Sequence, residues 1–255
     1  MESKKFVVTE KNAELYSKKI GDWIKTHIDN SKTDGVVLGM SGGVDCSTVA
    51  ALCSKNNIKA HLILMPYGDN MEKTKNYSDA MELINKFNLK YHIFDIKPAV
   101  DSLEINNNNV LNENLTKLAK ANIRPRIRMT YLYEYAQINN LLVIGTGNLS
   151  ERTVGYFTKW GDGANDLNPL GMITKKEVYI LAKYLGVPDS IINKKPSADL
   201  WVGQTDEDEL GIKYSQIDEY ILNGTTGDET VDNIIKTKNK RIKHKLKPIP
   251  IFNIE

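Results

Sequence analysis

Cysteine is scarce: Cys46 and Cys53 are the two in 255 residues. A disulfide scaffold uses more, and a spacing of seven is not the C-x-x-C of a redox centre. Both thiols are therefore expected to be reduced, and the chain to be cytoplasmic. No run of about 18 apolar residues occurs, so no membrane-spanning helix is expected. The opening, MESKKFVVTEKNAELY, lacks the apolar core and small-residue cleavage site of a signal peptide. Charge of one sign is not in excess either. The 34 Lys and Arg against 32 Asp and Glu leave a net charge of +2, whereas a dedicated nucleic-acid binder carries a basic surplus. No His/Cys cluster stands at zinc spacing. What the chain does have is a hydrophobic content of 41%, too high for a disordered protein.

Hydrophobic periodicity gives the organisation. Ala13, Tyr16, Ile20, Trp23, Ile24 and Ile28 share one helical face within residues 9–29. Residues 35–39 read as a short buried strand, 44–56 as a helix, 58–65 as a strand, 72–87 as a helix and 91–96 as a strand. The Asn run at 106–109 reads as loop, 111–138 as helix interrupted at Pro125, and 141–145 as a further strand. Such a β-α-β-α-β rhythm with fully apolar strands predicts an open, doubly wound parallel sheet with helices on both faces. Beyond it come a Gly/Asp-rich loop over 146–171 and a helix opened by Thr174 and Glu177 as a capping box, ended at Gly186 and Pro188. Two more helices are expected near 214–222 and 230–241. The expectation is one α/β domain, 1–255, with a helical C-terminal extension over about 205–255. The basic stretch 236–247 has seven Lys/Arg and no acid. It suits either a solvated helix face or an anionic ligand. His61 and His92 fall in strands and are expected to be packed.

The strongest local signal is Gly39-Met40-Ser41-Gly42-Gly43-Val44-Asp45-Cys46, between a strand and a helix. Adjacent glycines let the backbone approach an anion, and a helix N-terminus offers N–H groups. Asp45 would repel a phosphate unless a cation lay between them, so it reads as a Mg²⁺ ligand. The loop lacks the Lys-Ser/Thr of a Walker A motif, which excludes that class of kinase or GTPase. It also lacks G-x-G-x-x-G, which argues against a hydride-transfer cofactor. The competing reading of these residues is a glycine turn capped by Ser or Asp.

Ser41-Gly-Gly-Val-Asp45 after a strand resembles the signature of the N-type ATP pyrophosphatases. Later blocks narrow the resemblance: Asn122-Ile-Arg-Pro-Arg126, Gly145-Thr146-Gly-Asn-Leu-Ser-Glu151, and Gly155-Tyr-Phe-Thr-Lys159-Trp-Gly-Asp162-Gly-Ala-Asn-Asp166. Thr174-Lys175, Lys195-Pro-Ser197-Ala-Asp199 and Glu207-Asp-Glu-Leu-Gly-Ile212 follow in order. Together they are similar to the ammonia-dependent NAD synthetases. The resemblance implies a Rossmann-like adenine nucleotide alpha-hydrolase fold and a homodimer. It also implies ATP-dependent amidation of nicotinic acid adenine dinucleotide to NAD, releasing AMP and pyrophosphate. It puts ATP on Gly39 to Cys46, Thr146, Lys175 and Ser197, and Mg²⁺ on Asp45 and Glu151. It puts the dinucleotide on Arg126, Lys159, Asp166, His244 and Lys245, and the ammonia step on Asp162. This chain departs from the usual family pattern at Cys46, where Ser is common, and at Ser197, where Thr is common.

A carboxylate is a poor acyl donor, and adenylation gives it AMP as a leaving group. Such chemistry asks for positioning and positive potential rather than a Ser or Cys nucleophile. Asp45, Lys175 and Asp162 are the expected catalytic residues. A tethered glutaminase is not expected, because the ligase blocks fill the length. Two other readings stand beside this one: an RNA-modifying adenylating enzyme with its basic tail on tRNA, and a nucleotide-binding module without a reaction.

Overall fold

The computed structural model describes residues 4, 6–68, 74–104, 113–196 and 205–252. Four strands, β1 (Val36–Gly39), β2 (Ala60–Leu64), β3 (Lys90–Ile93) and β4 (Leu142–Val143), pair in the order β3-β2-β1-β4, all parallel. Leu38 stands opposite Leu62, Val36 opposite Leu142, and Leu62 opposite Tyr91. A single bridge from Ile144 to Leu167 prolongs the edge beside β4. The first half of the chain supplies α1 (Ala13–Ser31), α2 (Val44–Lys55), α3 (Lys75–Phe87), α4 (Lys97–Glu104) and α5 (Glu113–Asn139). The second supplies α6 (Leu149–Val154), α7 (Lys175–Leu185), α8 (Asp189–Ile192), α9 (Asp206–Leu210), α10 (Tyr214–Asn223) and α11 (Glu229–Leu246).

Side chains alternate across a strand, and here both faces are covered. Val36, Leu38, Leu62 and Leu64 enter a core with Leu52, Leu83 and Leu181 from α2, α3 and α7. Val37, Ile63 and Val143 enter a second core with Ala136 and half-buried Ile127 and Leu132 of α5. This double burial is why β1 and β2 are almost wholly apolar, whereas the edge strand β3, Lys-Tyr-His-Ile, is largely exposed and departs from the expected fully apolar pattern. A third cluster joins Val154 of α6 to Ile217, Ile221 and Ile235 of α10 and α11, so the C-terminal helices pack on the segment after β4. No described helix is long and apolar enough to cross a membrane.

Several boundaries depart from the sequence expectation. Pro125 lies inside α5, which runs on to Asn139 without interruption. Proline removes one main-chain hydrogen bond, but Ile123 before it and Ile127, Tyr131 and Leu132 after it pack on the same core and hold both halves. The expected loop over 146–171 contains α6, because Asn148 caps it: its side chain accepts from the Glu151 N–H, while Glu151 accepts from the Asn148 N–H. The short helices α4, α8 and α9 were not expected, and α11 runs five residues beyond the expected end at 241. Trp23 sits at the rim of the α1 face rather than in it, 39% exposed and edge-on to His27. The histidines are packed as expected, with His61 Nδ1 2.9 Å from the Tyr135 hydroxyl and the His92 ring against the same tyrosine. The Asn run at 106–109 and the expected helix starts at 72 and 111 lie outside the described residues.

The start of α7 is built with particular care. A helix leaves its first N–H groups without internal partners. Here the Thr174 N–H and hydroxyl donate to Glu177, at 2.7 and 2.8 Å. The Lys175 N–H donates to Ser150 Oγ at 2.9 Å and the Lys176 N–H to Asp218 at 2.8 Å. Ser150 in turn donates to Asp218. Glu177 also accepts from the Val8 N–H at 2.6 Å and pairs with the buried Lys4 ammonium. α7 is thereby fixed from three sides.

Leu62 is fully buried at the centre of the sheet. Leu62→Ala is expected to lower stability by about 2–5 kcal/mol, measured as a lower urea midpoint with an unchanged slope.

Candidate active site

One cavity of about 820 Å³ opens beyond the C-terminal ends of β1, β2 and β4, where open α/β sheets place ligands. Gly39, Met40, Ser41, Gly43, Val44, Asp45 and Cys46 line it from the β1–α2 turn, and Thr146, Glu151, Asp162, Lys175 and Lys245 from the second half. Gly42 is adjacent but turned away. Its φ is +76°, and a Cβ there would lie 2.2 Å from the Asn76 carbonyl oxygen, so this position excludes any side chain. Gly43 then caps α2 in extended conformation without a side-chain partner on the helix end, leaving the first turn of α2 facing the cavity.

Within the turn, Ser41 Oγ accepts from the Gly43 N–H at 3.3 Å and contacts Cys46 Sγ at 3.2 Å. The Cys46 thiol donates to the Gly43 carbonyl at 3.2 Å. A thiol therefore fits at this position, and it braces the turn. Cys53 lies deep in the core, where burial pushes its pKa up to about 12. Neither cysteine is placed for redox chemistry.

The charged centre of the cavity is a triad. Lys175 Nζ donates to Asp45 Oδ2 at 2.6 Å and to Glu151 Oε1 at 3.1 Å. Asn148 Nδ2 donates to the other Asp45 oxygen at 2.8 Å. All three charged side chains are largely buried. Burial pushes the Glu151 carboxyl up to about 7, with the Lys175 ammonium opposing the rise and Asp45 adding to it. Burial works against the charge on Lys175, but Asp45 and Glu151 outweigh it and hold its pKa well above the usual lysine range. Tyr214 lies under the ammonium, 4.8 Å from ring centroid to Nζ, and donates to Asp206 at 2.9 Å. Burial and the surrounding carboxylates raise its pKa, so it stays a neutral donor.

Asp162 accepts from the Thr158 N–H at 2.9 Å, which closes a turn, and it also faces the cavity. Burial raises its pKa, against the Thr158 hydrogen bond and the Lys245 charge. Lys245 reaches in from α11 and donates to the carbonyls of Gly155 and Phe157, at 2.9 and 2.8 Å.

Four expected dinucleotide residues are not in this cavity. Arg126 is exposed beyond the stripe of Asn122, Pro125, Met129 and Leu132 that faces it. The Lys159 ammonium lies 5.3 Å from the Trp160 ring. Asp166 accepts from the Val143 N–H at 2.8 Å and from the Tyr133 hydroxyl at 3.2 Å, which holds the bridge beside β4. His244 is exposed on α11, one residue from the inward Lys245. Ser197 lies outside the described residues. Asn148, Tyr214, Asp206 and Lys194 were not singled out in the sequence. For Asn148 a signal existed, since Asn followed by Glu three residues on is a capping pattern.

Residues 16–248 match the family described as NAD synthase. The chain belongs to this family. It is 43% identical over 240 residues to the NH(3)-dependent NAD(+) synthetase of Carboxydothermus hydrogenoformans, a match covering 94% of this chain and 97% of the relative. Among solved structures, NMN synthetase from Francisella tularensis is similar at a TM-score of 0.88 and 37% identity, covering 95% of this chain and 99% of that one. NH3-dependent NAD synthetase from Campylobacter jejuni subsp. jejuni, in complex with the nitrate ion, is similar at 0.77 and 33% identity, covering 94% and 99%. The family resemblance read from the ordered blocks therefore holds, as does the Rossmann-like adenine nucleotide alpha-hydrolase fold. As an NAD synthase family member the chain is a ligase, which sets aside the tRNA-modifying reading and the module without a reaction.

The raised Glu151 pKa predicts a pH dependence for the ligand-free protein. Between 4.5 and about 7 the folded state binds a proton that the unfolded state has lost. Stability from this group is therefore complete below 4.5 and is lost as pH rises through about 7. Glu151→Gln is expected to remove that decline. Urea titrations of both proteins across this window check it, and parallel stability curves would count against it.

Proposed function

We propose that the chain amidates nicotinic acid adenine dinucleotide with ammonia, converting ATP to AMP and pyrophosphate and yielding NAD. The observation that carries this reading is Lys175 and Glu151 meeting Asp45 beside the glycine turn in one cavity, in a chain of the NAD synthase family. ATP would lie with its phosphates on the turn, Thr146, Lys175 and Ser197. Gly43 and the first turn of α2 present N–H groups to that chain of phosphates. Lys175 supplies charge where pyrophosphate departs, and electrostatic stabilisation of this kind is a large catalytic term.

The donor set fits Mg²⁺. Asp45 and Glu151 are hard oxygen ligands that already converge on one cation. Among the described residues no group of three or more His, Cys, Asp or Glu could enclose a metal unaided, which suits an ion that completes its shell with phosphate and water. Bound there, Mg²⁺ would neutralise phosphate charge. The residues themselves orient the α-phosphorus toward the substrate carboxylate. The carboxylate attacks it, pyrophosphate leaves, and the adenylate then accepts ammonia and releases AMP. Asp162, facing the same cavity, binds the incoming ammonium and takes its proton. General base action of this kind is typically worth about 10²–10⁴-fold.

Arg126, Lys159, Asp166 and His244 face away from this cavity, and we assign them to the dinucleotide through a homodimer, where a second copy brings them to the neighbouring site. Lys245 would serve the dinucleotide from within. The reaction is carried by one domain spanning 1–255, in a cytoplasmic setting that two buried free thiols fit.

A second reading has one observation in its favour: the likeness to the protein named NMN synthetase, at a TM-score of 0.88. In that reading the acceptor is the mononucleotide, and the chemistry at ATP is unchanged. Turnover with each deamidated nucleotide under ammonium chloride decides between them, the better kcat/KM naming the substrate. Under either, one AMP is expected per amide formed, and ADP in its place would overturn the adenylation route. Asp45→Asn is expected to lower kcat about 10²-fold or more, and a chelator should stop turnover until Mg²⁺ is restored.

A further inference from the structure

Lys194 stands at the mouth of the cavity, just before the Lys195-Pro196 block, and plays no part in the chemistry above. Its ammonium donates to the Gly42 carbonyl at 2.7 Å, to Asn76 Oδ1 at 2.8 Å and to Asp79 Oδ2 at 2.7 Å. An ammonium has three donors, and all three are engaged by protein. Asp79 is fully buried on α3 and is also paired with Lys75 at 2.5 Å. Lys194 therefore ties the glycine turn to the first turns of α3, at the point where the Gly42 backbone and the Asn76 carbonyl come closest.

The consequence for ATP follows from peptide geometry. A trans peptide is planar, with its C=O and N–H pointing in opposite directions. The Gly42 carbonyl and the Gly43 N–H belong to one peptide. Holding the carbonyl on Lys194, outside the turn, aims the N–H to the inside, where Ser41 Oγ accepts it and where a phosphate oxygen would lie. Glycine on both sides of the peptide leaves little local resistance to a flip, so the turn needs an outside constraint.

We infer that Lys194 is a positioning residue for the triphosphate, holding the Gly42–Gly43 peptide in the orientation that presents its N–H to ATP. The inference rests on the reading of this turn as the ATP site.

The experiment compares the wild type with Lys194→Met and Lys194→Arg. Lys75 still neutralises Asp79 in both variants, so the fold is expected to persist, and the thermal midpoint checks it. ATP affinity is measured by calorimetry in Mg²⁺ without the second substrate, and KM for ATP and for ammonium is measured in turnover. The Met variant is expected to bind ATP about 10-fold more weakly, the worth of one net hydrogen bond to a charged group. Its KM for ATP should rise in step, with KM for ammonium unchanged, and Arg should restore part of the loss. Equal ATP affinity in wild type and Met variant would overturn the inference. So would a loss shared equally by ATP and ammonium, which marks general damage. A wild type that binds no ATP would instead overturn the reading of the site, and the two failures are therefore distinguishable.

Discussion

Two ionised carboxylates brought together inside a protein repel each other unless a proton or a positive charge lies between them, and here Lys175 supplies that charge. Asp45 arrives from the β1–α2 turn, Glu151 from the cap of α6, and Lys175 from the start of α7. Removing a partner from a buried pair leaves an uncompensated charge, so the three elements are energetically linked. The same triad keeps the two acids of the cavity close to one positive charge.

The supporting polar network explains how a lysine is held among groups that penalise its burial. The N–H groups at the head of α7 are satisfied by Glu177, Ser150 and Asp218, and Asn148 fixes one Asp45 oxygen while capping α6. Local caps and contacts reaching 25, 42 and 103 positions along the chain together join α2, α6, α7 and α10. Tyr214 completes the arrangement as a neutral ring beneath the ammonium.

Much of this was legible in the residues. The apolar β1 and β2 reported burial on both faces, and the glycine turn and Asp45 stood out together and line one cavity. The Thr174/Glu177 pair marked the head of α7. What local patterns could not report was tertiary compensation. Pro125 reads as a break, but the α5 side chains on either side of it share one core. The cap that creates α6 lies among glycines that suggest loop. Lys194 reads as one more surface lysine, since its three acceptors come from residues more than a hundred positions away. Arg126, Lys159, Asp166 and His244 were assigned by family resemblance, and none of them lines the cavity within this chain. His244 and Lys245 are neighbours in sequence, and α11 turns one outward and the other in.

An early segment of the chain packs against the helix that supplies the cavity's central lysine. Lys4 and the Val8 amide both close on Glu177, two residues along α7 from the ammonium that gathers Asp45 and Glu151. The leading segment thus anchors the head of α7, the helix that carries the ammonium between the two acids. Loosening this early anchor would free the lysine end of the triad from some 170 positions away.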